Sequence, residues 1–140
     1  MREPVMGAAE LTAYLDEIFP QQRGRFRVER VAPMAVRVAM APTEADLRPG
    51  DTVSGPSLFA LADCAFYAAV LAMIGRVPLT VTTNLSINFM RKPRPAALVC
   101  DARILKLGRT LAVGDATILS EGAEGPVAHA SVTYAIPPER

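Results

Sequence analysis

The sequence of 140 residues predicts an α+β fold in which one antiparallel sheet wraps a single long helix. Three observations carry that prediction. The stretch from Pro56 to Ile74 is apolar around nearly its whole circumference. The segments after it change to a two-residue period, and 12 prolines and 9 glycines fall mostly at segment ends. A helix with so little polar surface has to be covered on most sides, and only the strands have enough apolar surface to cover it.

In chain order, residues 8–19 form a short amphipathic helix with Leu11, Tyr14, Leu15 and Ile18 on one face, ended by Pro20 and suited to covering an edge of the fold. Two β-like runs follow, Phe26–Val31 and Ala35–Ala41, separated by Pro33; Val36, Val38 and Met40 share a face of the second. Thr43 to Thr52 is a polar connector containing the turn formers Arg48-Pro49-Gly50-Asp51. The central helix spans 56–75. Pro56 suits its first positions because a proline lacks an N–H that would be unpaired there anyway, and Gly75 suits its stop. It makes about five turns, roughly 30 Å at ~1.5 Å per residue.

Residues 78–136 read as antiparallel strands. Leu79, Val81, Leu85, Ile87 and Phe89 alternate with Thr80, Thr82, Asn84, Ser86 and Asn88, which predicts a strand with one apolar and one hydrogen-bonding face. Arg91-Lys92-Pro93-Arg94-Pro95 closes it. Strands at Ala97–Leu107 and Thr110–Ser120 turn at Gly108-Arg109, and the loop Glu121–Gly125 leads into Val127–Ile136, with Ala128, Ala130, Val132, Tyr134 and Ile136 on one face. No repeat divides the chain, and its size suits one domain, 1–140.

A net charge of +1 creates no field that would draw nucleic acid. Cys64 and Cys100 stand alone in apolar segments, which fits buried thiols in a reducing compartment and lacks any metal or redox spacing. Met1-Arg2-Glu3-Pro4-Val5 has no apolar core of signal-peptide length. The central helix is long enough to cross a membrane, but Asp63 within it would cost roughly 2.5–3.5 kcal/mol on the insertion scale. The expectation is a soluble, cytoplasmic protein with neither membrane nor nucleic acid as partner.

Asp63 is the residue that the apolar helix does not explain. Its neighbours three and four positions away are Phe59, Ala60, Phe66 and Tyr67, and the helix dipole fades well before it. A buried carboxylate must be paired, face a cleft or give up its charge. It is then either a structural or dimer contact, or a working carboxylate, and the second reading is favoured. The single histidine, His129, alternates with the apolar face of the last strand and reads as a surface or interface residue. A serine-hydrolase mechanism therefore has no base, and no metal site is expected.

Ser54-Gly55-Pro56 through Leu61-Ala62-Asp63-Cys64-Ala65 resembles the hotdog-fold acyl-CoA thioesterases, and within them the PaaI-like, phenylacetate-degradation type. Asn84-Leu85-Ser86-Ile87-Asn88-Phe89-Met90-Arg91-Lys92-Pro93 and Lys106-Leu107-Gly108-Arg109-Thr110 reinforce the likeness, and the order of elements agrees from about Phe26 to Ile136. The resemblance implies a hotdog fold, homodimers that join their sheets, often homotetramers, and an active site at the subunit interface. Such proteins usually read His-Gly-Gly at the helix entrance. Here Ser54 holds the His position, Gly55 the first Gly and Pro56 the second, while Asp63 keeps the register of the family's acidic residue.

The function that follows is hydrolysis of a CoA thioester with an aromatic or short-to-medium acyl group. Asp63 would act as general base on water or as nucleophile. The N–H of Gly55 at the helix N-terminus would polarise the carbonyl; Pro56 has no N–H, so a second donor would come from Ser57 or beyond. Ser54, Ser57, Phe59, Tyr67 and Asn84 are the expected substrate-binding residues. Arg91, Lys92 and Arg109 are expected on the CoA phosphates, with Arg94, Arg103 and Lys106 as weaker candidates. Coenzyme A enters as part of the substrate, and no separate cofactor is expected. Because Ser54 and Pro56 depart from the family pattern, a non-catalytic acyl-CoA-binding protein is the alternative. A dehydratase is disfavoured because no His lies near Asp63.

Overall fold

Leu11, Tyr14 and Leu15, three and four residues apart, bury one side of α1 (Ala8–Ile18) in the computed structural model, which describes residues 2–138. The outermost residues of the expected domain, Met1, Glu139 and Arg140, lie outside the described residues. β1 (Phe26–Ala32) and β2 (Ala35–Met40) form a hairpin across Pro33-Met34. A 3-10 turn at Glu44–Asp46 leads to two short strands that pair with each other, β3 (Leu47–Arg48) and β4 (Thr52–Val53). The central helix, α2, runs Gly55–Ile74, one residue earlier at each end than the sequence suggests. β5 (Val81–Phe89), β6 (Leu98–Leu107), β7 (Leu111–Ser120) and β8 (Ala128–Ala135) complete the chain.

Six strands form one antiparallel sheet in the order β1-β2-β6-β7-β8-β5, curled around α2 as in the hotdog fold. Alternation decides which residues meet the helix. Val36, Val38 and Met40 of β2, Cys100, Ala102 and Ile104 of β6, and Ala128, Ala130, Val132 and Tyr134 of β8 are all buried. Each fully buried large apolar side chain contributes on the order of 1.5–3 kcal/mol. At Gly114 in β7 a Cβ would lie 2.0 Å from the Arg103 carbonyl oxygen and 2.6 Å from Cε1 of Phe66. Only glycine lets the sheet close over the Phe66 ring at that point. The helix is long and apolar enough to span a membrane, yet its sides are buried inside the sheet, as in the core helix of a soluble domain.

β5 departs from the simple alternation. Its register against β8 slips between Thr82 and Asn84, and such a bulge adds one unpaired residue and reverses the facing of what lies beyond it. Leu85, Ile87 and Phe89 lie opposite Val132, Ala130 and Ala128 on the helix side. Thr82 lies opposite Tyr134 on that same side, and Val81 opposite Ala135 on the other. The expected apolar face running from Leu79 through Val81 to Phe89 is therefore broken: Leu79 precedes the strand, and both Leu79 and Val81 are exposed. β5 is also an outer strand, with no neighbour beyond it among the described residues.

On the opposite face of the sheet, Arg37 pairs with Asp101 through two bonds of 2.7 Å, and Asp115 accepts from Arg103 at 3.1 Å and approaches His129 at 3.2 Å. His129 is half-exposed there, on the face of β8 turned away from the helix that carries Asp63.

Candidate active site

Asp63 sits in the middle of α2 where β8 and the start of β5 pass over it. Thr82, turned inward by the bulge, donates to Oδ1 of Asp63 at 2.6 Å, and the Tyr134 hydroxyl donates to the same oxygen at 2.7 Å. Tyr134 also lies 3.0 Å from the Asp63 carbonyl oxygen. Its ring is braced by Phe66 and Tyr67, with centroids 5.6 and 5.9 Å away. Burial first, and then the adjacent carboxylate, push the Tyr134 phenol far above its ordinary range, so it remains a proton donor. Among the described residues, no donor is bonded to Oδ2 of Asp63. One oxygen is held and the other is open.

That carboxylate lines a cavity of about 490 Å³ under α1 and the turn after it, bounded by Leu15, Phe19, Phe26, Cys64 and Tyr67 among others. A volume of this size suits a small-molecule site lined mostly by apolar side chains. The Cys64 thiol is pushed up to about 12, by burial and then by Asp63, so it is not a thiolate competing with the carboxylate. Tyr67 donates to the Pro78 carbonyl oxygen at 3.0 Å and contributes its ring face to the wall.

The entrance of α2 is built differently. Ser54 is the N-cap, accepting from the Ser57 N–H at 3.4 Å and donating to the Ser57 hydroxyl at 3.1 Å. Ser57, buried, donates to Asp46 at 2.7 Å, and Arg25 donates to the same Asp46 oxygen at 2.8 Å. The Thr43 N–H donates to the other Asp46 oxygen at 2.9 Å. Burial of Asp46, which is 4% exposed, works against its charge, but the Thr43, Ser57 and Arg25 donors outweigh that and hold its carboxyl below the usual range. The hydroxyls of Ser54 and Ser57 are thus engaged within this cluster.

Gly55, the first residue of α2, has an N–H that no acceptor takes among the described residues. A Cβ there would lie 3.3 Å from Cζ of Phe89, so the ring closes directly over the glycine. Gly55 lines a second cavity of about 310 Å³ together with Phe89, Met90, Arg91, Lys92 and Arg48. Arg91 and Lys92 are therefore brought beside Gly55, with the Arg91 guanidinium bonded to the Pro126 carbonyl oxygen. The eight-residue step from Gly55 to Asp63 sets the two apart by roughly 12 Å along the helix axis.

The remaining expected residues lie elsewhere. Phe59 is partly exposed on α2 and outside the cavity at Asp63. Asn84 lies opposite Thr133 on the side of the sheet turned away from the helix. Arg109 is at the β6–β7 turn, near the Val81 end of β5, while Arg91 and Lys92 follow its other end. Arg103 is paired with Asp115. Thr82, Tyr134 and Asp46 were not among the expected site residues. A tyrosine in a run of Ala and Val, facing the same way as the core, was the one signal for Tyr134.

The family model of the thioesterase superfamily matches residues 50–134. A crystal structure of a candidate thioesterase from Silicibacter sp. TM1040 is 53% identical over 97% of this chain and 95% of its own, with a TM-score of 0.90. A mutant of the phenylacetic acid degradation protein PaaI from Thermus thermophilus is 26% identical, covering 84% of this chain and 99% of that one, with a TM-score of 0.73. The Escherichia coli PaaI protein is 20% identical over 93% of both chains, with a TM-score of 0.80, and shares the fold. No curated protein matched the sequence. The match takes in Gly55, Asp63 and all four long strands of the second half but for one residue: the chain belongs to the thioesterase superfamily as a hotdog-fold thioester hydrolase.

Proposed function

We propose that the protein is an acyl-CoA thioesterase whose working site is completed by two copies of the chain, with Asp63 as the reacting carboxylate. The observation that carries this is the asymmetry at Asp63: Thr82 and Tyr134 fix Oδ1, while Oδ2 is unengaged at the wall of an apolar cavity. A carboxylate oriented in this way can take the proton of a water attacking the thioester carbon, or attack that carbon itself. In the first route Asp63 becomes protonated, the tetrahedral intermediate expels the CoA thiolate, and the proton returns to the leaving sulfur. In the second the carbon–sulfur bond breaks as an anhydride forms, the CoA thiolate leaves and takes a proton from solvent, and water then cleaves the anhydride to release the acid and restore Asp63.

Charge on the thioester oxygen needs a donor, and Gly55 at the end of α2 is the natural one, with an unused N–H beside the helix dipole. On a single chain it is too far from Asp63. Two β5 edges paired antiparallel would bring the Phe89 end of one copy to the Val81 end of the other. The Gly55, Arg91 and Lys92 cluster would then adjoin the partner's carboxylate cavity. The open edge and the exposed Val81, Phe89 and Met90 favour that pairing. Arg91 and Lys92 suit the CoA phosphates; the acyl group, aromatic or of short to medium length, would lie against Tyr67 in the cavity. A tetramer would add a second such pair, and the two free thiols, Cys100 buried and Cys64 half-buried, fit a cytoplasmic setting.

Thiol release from a panel of acyl-CoA esters tests the reading. Asp63→Asn is expected to abolish most turnover while thermal unfolding stays near that of the parent, since both hydroxyls can still donate to the amide oxygen. Undiminished release by that variant would overturn the assignment.

A further inference from the structure

We propose that Thr80 is a specificity-determining residue, its hydroxyl receiving an oxygen substituent, hydroxyl or carbonyl, at the far end of the acyl group. This deepens the thioesterase reading above and rests on it for the identity of the ligand.

Thr80 is among the residues that line the cavity at Asp63, and it is 2% exposed. Its Oγ1 is the one side-chain oxygen or nitrogen, among the described residues, that is buried with no hydrogen-bond partner. The other polar side chains around the same cavity each make at least one hydrogen bond. Asp16 accepts from the Gly24 N–H, Gln22 accepts from Arg25, and Tyr67 donates to the Pro78 carbonyl. Thr82 and Tyr134 are engaged by Asp63 itself.

A buried hydroxyl left without a partner is destabilising, and valine would fill the same space without that cost. The apolar lining around it does not need an oxygen there. A ligand atom able to hydrogen-bond removes the penalty, whereas an unsubstituted alkyl chain leaves it standing. The backbone of Thr80 is held by its N–H to the Val77 carbonyl at 3.1 Å, so the side chain is presented from a fixed point. Rotation about χ1 exchanges its hydroxyl and methyl among staggered positions without moving that point.

Position sets where on the acyl group the oxygen should be. Thr80 precedes Thr82 by two residues, roughly 7 Å of extended chain from the donor that grips Asp63. The thioester carbon has to lie at Asp63. The partner of Thr80 is therefore remote from the reacting carbonyl and has no part in the chemistry, which makes it an element of recognition.

The test uses matched CoA esters from butanoyl to octanoyl: each unsubstituted, with a terminal hydroxyl, and with a terminal methyl ketone. Wild type is expected to favour one oxygenated series in kcat/KM, and whichever it favours separates a hydroxyl partner from a carbonyl one. Thr80→Val should reduce that preference about tenfold, while Thr80→Ser, which keeps the hydroxyl, should retain it. Thr80→Val should also unfold at the same or a higher temperature, because it removes an unpaired polar atom, whereas a purely structural threonine would lower it. Turnover with no preference, or a preference that survives in Thr80→Val, overturns the role of Thr80 and leaves the thioesterase reading intact; a hydroxyl satisfied by water alone would give that result. No turnover of any ester overturns the thioesterase reading instead, and equilibrium binding of the same esters to wild type and Thr80→Val then decides Thr80 by the same tenfold criterion.

Discussion

The two ends of the first half of α2 hold polar clusters of similar size that do opposite things. Around Asp46, both carboxylate oxygens are taken, by Thr43 on one side and by Ser57 and Arg25 on the other, and Ser54 joins through Ser57. Around Asp63, two hydroxyls crowd onto one oxygen and the second is left to the cavity. A carboxylate saturated by donors is a brace; one held by a single oxygen is positioned and still basic. The difference separates stability from rate, and substitutions at the two clusters should divide along that line.

The largest effect is expected at Asp63→Asn, which should lower kcat by about 10²–10⁴-fold, the range for loss of a positioned proton-transfer group. Next come its two donors. Tyr134→Phe and Thr82→Val each remove a hydrogen bond to a charged group and should lower kcat about 10- to 100-fold. Steady-state thiol release measures both. If either variant kept its rate and lost only stability, the carboxylate end would be a brace as well.

At the entrance, Asp46→Asn should lower the unfolding free energy by about 2 kcal/mol, since it disturbs donors gathered from three places around a buried group. Denaturant titration reads this, and kcat should change far less than at Asp63. The effect carries a pH signature. The carboxyl of Asp46 is held below its ordinary range when folded, so its stabilisation is present above the unfolded value of about 3.9. It is lost as pH falls through the lower folded value. The stability gap between wild type and Asp46→Asn should therefore be full near neutrality and narrow below about pH 4. Ser54→Ala is the smallest change, about 0.5 kcal/mol at the low end for an N-cap, because its bond to the Ser57 N–H is long at 3.4 Å.

Much of this architecture is legible in the sequence because it depends on local pattern. Pro56 and Gly75 mark a helix whose apolar surface has to be covered, and the two-residue periods before and after it locate the strands. Asp63 stands out for the same reason, as a charge where the pattern allows none. What could not be read depends on register or on distant partners. Thr82 sits on the polar side of the apparent alternation, and only the slip before Asn84 turns it toward Asp63. Asp46 lies in a connector that reads as solvent-exposed turn, and its burial comes from Arg25 and Ser57, which reach it from elsewhere in the chain. The orphaned hydroxyl of Thr80 has no sequence signal, since being unpaired is a property of everything around it.

The extra residue in β5 has a consequence for how this strand can change over time. Upstream of it, side-chain identity is tied to the acid it serves; downstream, the residues lie along an edge whose demands come from outside the chain. A one-residue offset lets those two halves vary independently, so assembly could be retuned by drift at the exposed Asn84, Ser86 and Asn88 with the hydroxyl at Thr82 left in place. Deleting Thr83 would fuse the two reading frames and force one set of side chains to the wrong side.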